Sequence, residues 1–213
     1  MKKIIVTIDG PAASGKGRIA KYISRRWKLK HLDSGILYRR LAFLLNKYDI
    51  NINSLKEIKD FVNNLEDISF KKHKNLRNEK ISKISSQIAV HKFIRIFVNS
   101  IQKKIVNKNL QRTGFVIDGR DIGSKVFKNA DLKLYIDVNE ENRAKRRYKQ
   151  LIDTGEKSIY AKILKEIKLR DKKDKSRKHS PLVIPNGAIV INNNESLIKT
   201  KKQIDLLVGD LIG

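Results

Sequence analysis

Gly10, Gly15 and Lys16 invite a chemical reading first, spaced G-x-x-x-x-G-K inside the run Ile8-Asp9-Gly10-Pro11-Ala12-Ala13-Ser14-Gly15-Lys16-Gly17. A polyphosphate is held best by a ring of backbone N–H groups at a helix N-terminus, and only glycine or small residues let the main chain come that close. Lys16 then adds a point charge that bridges the outer phosphates. Gly10, Pro11, Ala12, Ala13, Ser14, Gly15, Lys16, Gly17 and Arg18 are the residues such a loop presents to a nucleotide tail. Arginine supplies the second set of candidates, because its planar fork suits fixed phosphate and base contacts. It recurs beside Gly, Asp and Ser signals at Arg39, Arg77, Arg95, Arg120, Arg146, Arg147, Arg170 and Arg177.

A phosphate loop needs a strand before it and a helix after it. The β-branched run Ile4 to Ile8 reads as a buried parallel strand, and Ile19, Ala20, Ile23 and Trp27 fall at helical spacing over Gly17 to Trp27. That context favours a phosphate loop over the glycine-rich turn of any other strand-to-helix connection. Further along, the pattern predicts a brief strand in Leu29 to Gly35, with Asp33-Ser34 as N-cap of a helix carried by Leu37, Leu41, Phe43, Leu44 and Leu45. A short helix around Leu55 to Leu65 and a strand-like stretch near Ile68 follow. Helical spacing returns from Ile81 to about Lys108, broken near Val90. Phe115 to Asp121 and Leu132 to Val138 read as strands, Glu140 to about Ile152 and Ser158 to about Lys175 as helices around a Gly155 break. A strand at Ala188 to Ile191 and a helix from about Glu195 close the chain. Strands alternating with helices predict an α/β domain with a parallel sheet, whose ligands bind beyond the strands' carboxyl ends. The residues Gly10 to Lys16, Asp33-Ser34 and Asp118 to Asp121 all fall there.

Composition sets outer bounds. A chain of 213 residues suffices for one domain with insertions, and the absence of cysteine excludes a disulfide framework or a thiolate metal site. No apolar run reaches membrane-spanning length, so a cytoplasmic protein without membrane partners is expected. Lys and Arg number 48 against 22 Asp and Glu, a formal net charge of +26. Such a chain attracts polyanions generally, but the excess is mostly scattered lysine, which reads as a solvated surface and not as a specific nucleic-acid face.

Six stretches in order resemble bacterial cytidylate kinases, within the nucleoside-monophosphate kinases, over nearly the whole chain. They are I-D-G-P-A-A-S-G-K-G (Ile8 to Gly17), D-S-G-I-L-Y-R (Asp33 to Arg39), S-Q-I-A-V-H-K-F-I-R (Ser86 to Arg95), D-G-R-D-I-G (Asp118 to Gly123), E-N-R-A-K-R-R (Glu141 to Arg147) and R-D-K-K-D-K-S-R (Arg170 to Arg177). The resemblance implies a P-loop NTPase core, with parallel sheet flanked by helices, an NMP-binding insertion at about 49–107 and a mobile lid at about 141–180. It leaves 1–48, 108–140 and 186–213 to the core. It also implies phosphoryl transfer from ATP to CMP or dCMP in pyrimidine nucleotide metabolism, with Mg2+ accompanying ATP. Residues matching base contacts are Asp121, Arg95 and Ser86; those matching sugar contacts are Tyr38, Arg170 and Asp174. Arg39, Arg120 and Arg177, with Ser34, match contacts to the acceptor phosphate. Arg143, Arg146 and Arg147 match lid arginines over the triphosphate. Lys16, Arg120, Arg146, Arg147 and Arg177 form the implied catalytic set, and Asp33 and Asp118 are carboxylates that would reach Mg2+ through water.

The fit to cytosine makes physical sense: a carboxylate accepts from its N4 amino group, while an arginine donates to its acceptor edge. One departure stands out, since Arg18 takes the place where the family usually has threonine. Two placements follow, contact with the phosphates, which we favour, or projection to solvent from the first helical turn. With every implied group on one chain, a monomer acting on small molecules is expected. The rival readings are a related kinase acting on UMP or AMP, and a basic RNA-associated P-loop NTPase.

Overall fold

A computed structural model describes residues 3–65, 67–69, 76, 78–108, 114–153 and 155–212. Its elements are β1 (Ile4–Asp9), α1 (Lys16–Arg26), β2 (Lys30–Asp33), α2 (Ser34–Lys47), α3 (Leu55–Asn63), α4 (Glu79–Ile88), α5 (Lys92–Lys108), β3 (Gly114–Asp118), β4 (Leu132–Asp137), α6 (Glu140–Asp153), α7 (Tyr160–Ser176), β5 (Ile189–Asn192) and α8 (Leu197–Ile212), with a single π-helical turn at Ile122–Val126. The strands form one sheet in the order β2-β3-β1-β4-β5. β1 runs parallel to both β3 and β4, with Val6 beside Val116 and Leu132, and β4 runs parallel to β5. β1 is thus the strand about which the order changes direction, and its carboxyl end opens at the switch point where doubly wound sheets bind ligands.

The chain divides into two compact units, Met1–His31 with Arg112–Gly213, and Leu32–Gln111. In the first unit, Val6, Ile8, Val116, Leu134, Ile136 and Ile191 of the sheet bury against Ile19, Ala20 and Ile23 of α1 and Ile204 and Val208 of α8. That is why β1 and β3 read as unbroken apolar runs: a strand covered on both faces needs no alternation. A smaller cluster joins Ala144 and Leu151 of α6 to Ile163 and Ile167 of α7.

The second unit is helical, with Leu37, Leu41 and Leu45 of α2, Ile58 and Val62 of α3, Ile81, Ile84 and Ile88 of α4, and Ile94, Val98 and Ile101 of α5 in one core. α2 belongs to this cluster, although the boundaries read from the sequence leave it with the core segment. The spacing 37, 41, 45 makes an apolar stripe that the other helices of this unit cover.

Two local expectations need correction. Asp33 stands at the N-cap of α2, but its side chain makes no capping bond; it lies 3.4 Å from the Arg39 guanidinium instead. Residues 67–69 form no strand; Ile68 is buried in the helical core, and Phe70 lies outside the described residues. Arg77, Arg112 and Thr113 lie outside them too.

Candidate active site

The turn after β1 has the backbone that a phosphate cradle requires. Gly10 adopts φ 147, and a Cβ there would stand 2.5 Å from the Ile136 carbonyl oxygen of β4, so no other residue fits. Ala13 and Gly15 also take positive φ, 58 and 91, and Gly15 sits at the N-cap of α1 without a side-chain cap. The helix's first N–H groups are therefore left to a ligand. Lys16 is buried, its Nζ donating to the Pro11 carbonyl at 2.5 Å and the Ser14 hydroxyl at 3.1 Å. Burial, then repulsion from Arg120, hold its ammonium well below the usual lysine range, while Asp118, Asp9 and Asp174 pull it back up. An anion arriving in the loop would restore that charge's favourable surroundings.

Arg120, Asp174 and Arg177 form the neighbouring group. Asp174 accepts from Arg120 Nε and Arg177 NH1, each at 3.2 Å, and Arg177 Nε donates to the Ser180 carbonyl at 2.5 Å. Burial pushes the Asp174 carboxyl up, but the guanidiniums of Arg120, Arg170 and Arg177 outweigh it and hold the group below its usual value. One carboxylate thus organises two arginines, and the positive charge gathered there suits a dianionic phosphate. Asp118, at the end of β3, accepts through Oδ1 from His31 Nε2 at 2.6 Å. Its Oδ2 lies 3.7 Å from where a Cβ on Gly17 would stand, so it faces the first turn of α1.

The lid arginines separate. Arg146 is half-buried, with NH1 4.0 Å from the Cβ position of Gly15 and NH2 donating to the Asn193 carbonyl at 2.6 Å. Arg147 points elsewhere, exposed and bonded to Gln150 at 3.2 Å. Arg143 is buried behind the loop, not open to it: Nε donates to the Val138 carbonyl at 2.9 Å, NH1 to the Ala12 carbonyl at 3.2 Å and NH2 to Asp171 at 2.5 Å. Arg18 is exposed, and close enough to Arg146 to join burial in lowering that guanidinium's affinity for its proton.

In the second unit, α2 presents Ser34, Tyr38 and Arg39, the first two one helical turn apart and both buried. Arg95, in the first turn of α5, is buried with its guanidinium 5.6 Å from the Tyr38 ring centre and NH1 donating to the Ala89 carbonyl at 2.8 Å. Ser86 is half-buried on α4. Gly35 leaves room for the Asp33–Arg39 pair, since a Cβ there would stand 3.1 Å from both partners.

Asp9, Asn193 and Asp171 carry structure around the loop and escaped the sequence reading. Asp9 was legible in principle as a charge ending an apolar strand. Its buried carboxylate accepts the N–H groups of Ile122 at 2.9 Å and Gly123 at 2.7 Å, fixing the turn that holds Arg120 and Asp121. Burial, partly offset by those two bonds, raises its pKa from 3.8 to about 6. The folded state therefore binds this proton more tightly than the unfolded chain. The group's contribution to stability is complete below pH 3.8 and lost as pH rises through about 6. Subtracting the stability curve of Asp9→Asn from that of the unmodified protein is expected to leave a difference that declines across this window; a flat difference would contradict it.

A central parallel strand, a positive-φ glycine turn and a buried lysine opening a helix define a P-loop nucleotide-binding protein, and the adjoining arginine cluster marks it as one that handles a second anion. The family model for cytidylate kinase matches residues 6–204. The cytidylate kinase of Rickettsia rickettsii (strain Sheila Smith) is 38% identical over 190 residues, covering 89% of this chain and 84% of that protein. That of Rickettsia felis is 37% identical over 200 residues, covering 93% and 89%. The crystal structure of TT1252 from Thermus thermophilus shares the fold over 100% of both chains with a TM-score of 0.55 at 14% identity. The chain belongs to the cytidylate kinase family, whose members are nucleoside-monophosphate kinases and hence transferases.

Proposed function

We propose that the chain transfers the γ-phosphoryl group of ATP to CMP or dCMP, giving ADP and CDP or dCDP, as a cytoplasmic monomer. One observation supports this above the rest: within one unit, the P-loop lysine feels the charges of Arg120 and Asp174, so a donor cradle adjoins an arginine pair organised for an acceptor phosphate. The acceptor oxygen attacks the γ-phosphorus directly, and no protein nucleophile is needed; positioning and electrostatic stabilisation supply the rate. Lys16 and Arg146 stabilise charge on the transferring group, while Arg120 and Arg177 hold the acceptor phosphate. Asp121 accepts from the cytosine amino group. Arg95 and Ser86 complete base contacts, Tyr38, Arg170 and Asp174 contact the sugar, and Arg39 and Ser34 reach the phosphate.

Mg2+ accompanying ATP would supply positive charge to the phosphates during transfer. Among the described residues there is no group of three or more His, Cys, Asp or Glu able to hold a metal. Asp118, whose Oδ2 faces the first turn of α1, and Asp33 are the carboxylates that would reach the ion through water. Among the described residues no helix is long and apolar enough to cross a membrane.

A coupled assay offering CMP, dCMP, UMP and AMP tests the reading. CMP and dCMP are expected as the preferred acceptors, and a preference for UMP or AMP would overturn it. Asp121→Asn is expected to narrow the CMP-over-UMP preference by roughly 10–100-fold, because an amide can also donate to the uracil O4; an unchanged ratio would remove Asp121 from base recognition.

A further inference from the structure

We infer that Asn193, oriented by Thr200, is a positioning residue that sets the phosphate loop and Arg146 together. The inference rests on the ATP-binding reading above and adds a residue that the motifs do not contain. Asn193 follows β5, is 3% exposed, and uses all four of its polar groups. Its Nδ2 donates to the Ser14 carbonyl at 2.9 Å, its Oδ1 accepts from the Thr200 hydroxyl at 2.8 Å, its N–H donates to the Asp137 carbonyl at 2.9 Å, and its own carbonyl accepts from Arg146 NH2 at 2.6 Å.

The consequence for the loop follows from peptide planarity. In a trans peptide the carbonyl and the next N–H point in opposite directions, so a donor that holds the Ser14 carbonyl also aims the Gly15 N–H. Asn193 does this from close range: a Cβ on Gly15 would stand 2.8 Å from Nδ2. The other side of the same residue fixes Arg146, whose NH1 lies 4.0 Å from that Cβ position. One residue, tied through its N–H to the carboxyl end of β4, thereby sets one N–H of the cradle and one cation beside it.

Only a carboxamide meets the pattern, donating to Ser14 while accepting from Thr200. The buried Thr200 hydroxyl selects which end of the amide faces the loop, since it can donate to Oδ1 but offers nothing comparable to Nδ2 once it has done so. The Ser196 carbonyl, at 3.4 Å, is its poorer alternative acceptor. Aspartate at position 193 would set an oxygen against the Ser14 carbonyl, and valine at position 200 would leave the amide free to turn over.

The test compares Asn193→Asp and Thr200→Val with the unmodified protein, each well below its own melting temperature. Asn193→Asp is expected to raise KM for ATP about tenfold or more, and Thr200→Val by a few-fold, with KM for CMP within about twofold in both. A general loss of packing would move both constants together or lower only the melting temperature. The affinity of a non-hydrolysable ATP analogue, measured by calorimetry without acceptor, should weaken in parallel. Unchanged ATP constants in folded variants, or equal changes for ATP and CMP, would overturn the inference. Should Asn193→Asp fail to fold, Thr200→Val decides alone by the same criteria. An unmodified protein that binds the analogue but phosphorylates no cytidine nucleotide would sink the proposed function while leaving this inference to the analogue affinities.

Discussion

Lys16→Ala is expected to lower phosphoryl transfer by at least about 10²–10³-fold while changing the melting temperature little, the range found when one preorganised donor to developing charge is removed. The asymmetry comes from where the ammonium sits. It is buried against Pro11 and Ser14 and destabilised first by loss of water and then by Arg120. A fold optimised only for stability would not keep a cation there, because a buried charge costs more than its two hydrogen bonds return. Removing it relieves that cost, and the carboxylates of Asp118, Asp9 and Asp174 lose some attraction in exchange. Turnover and thermal unfolding of the same preparation check the expectation. Turnover near the unmodified rate would contradict the P-loop assignment, and a fall in melting temperature large enough to explain the lost activity would make Lys16 a structural residue.

The P-loop was legible because its physics is local. A strand buried on both faces, glycines at Gly10 and Gly15 where φ is positive, and a lysine at the helix start are all written within one short run of sequence. The helices were legible for a similar reason, and the break between α4 and α5 falls at the expected Val90. Side chains whose partners lie far away in sequence were not. Asn193 bonds to Ser14 across 179 residues, Asp9 to Gly123 across 114 and Arg143 to Ala12 across 131. Nothing in the neighbourhood of Asn193, a run of three asparagines before a helix, separates it from Asn192, which accepts in a local turn, or from Asn194, whose Oδ1 accepts from the Asn139 N–H and the Asn142 side chain. Arg143, Arg146 and Arg147 share one helix, yet the helical turn sends them to the protein interior, the loop and the solvent respectively. Residue type and spacing nominated all three, but only packing distinguishes them.

Asp171→Ala is expected to destabilise the protein by about 3–5 kcal/mol, because it leaves a buried guanidinium without its counter-charge. For a chain of this size that corresponds to a fall in melting temperature on the order of 6–20 °C. The Arg143 and Asp171 side chains are only 3% and 4% exposed, so solvent screens the pair little. The single variant alone would not separate stability from function, since a weakened fold binds every ligand less well. Replacing both partners with apolar residues, Arg143→Met with Asp171→Leu, does separate them. A buried ion pair exchanged for well-packed apolar groups is often neutral or stabilising, so most of the lost melting temperature should return. The Ala12 carbonyl would still lack the donor that Arg143 NH1 provides at 3.2 Å. KM for ATP should therefore stay raised in the double variant while its stability recovers. If both recovered, Arg143 would be a packing residue with no bearing on the phosphate loop. If the single variant kept its full melting temperature, the pair could not be the desolvated contact that its geometry describes. The distinction matters because α7 carries Asp171 beside Arg170 and one helical turn from Asp174. A strut from that helix through Arg143 to Ala12 ties the backbone that grips the nucleotide tail to the element that organises the arginines for the second anion.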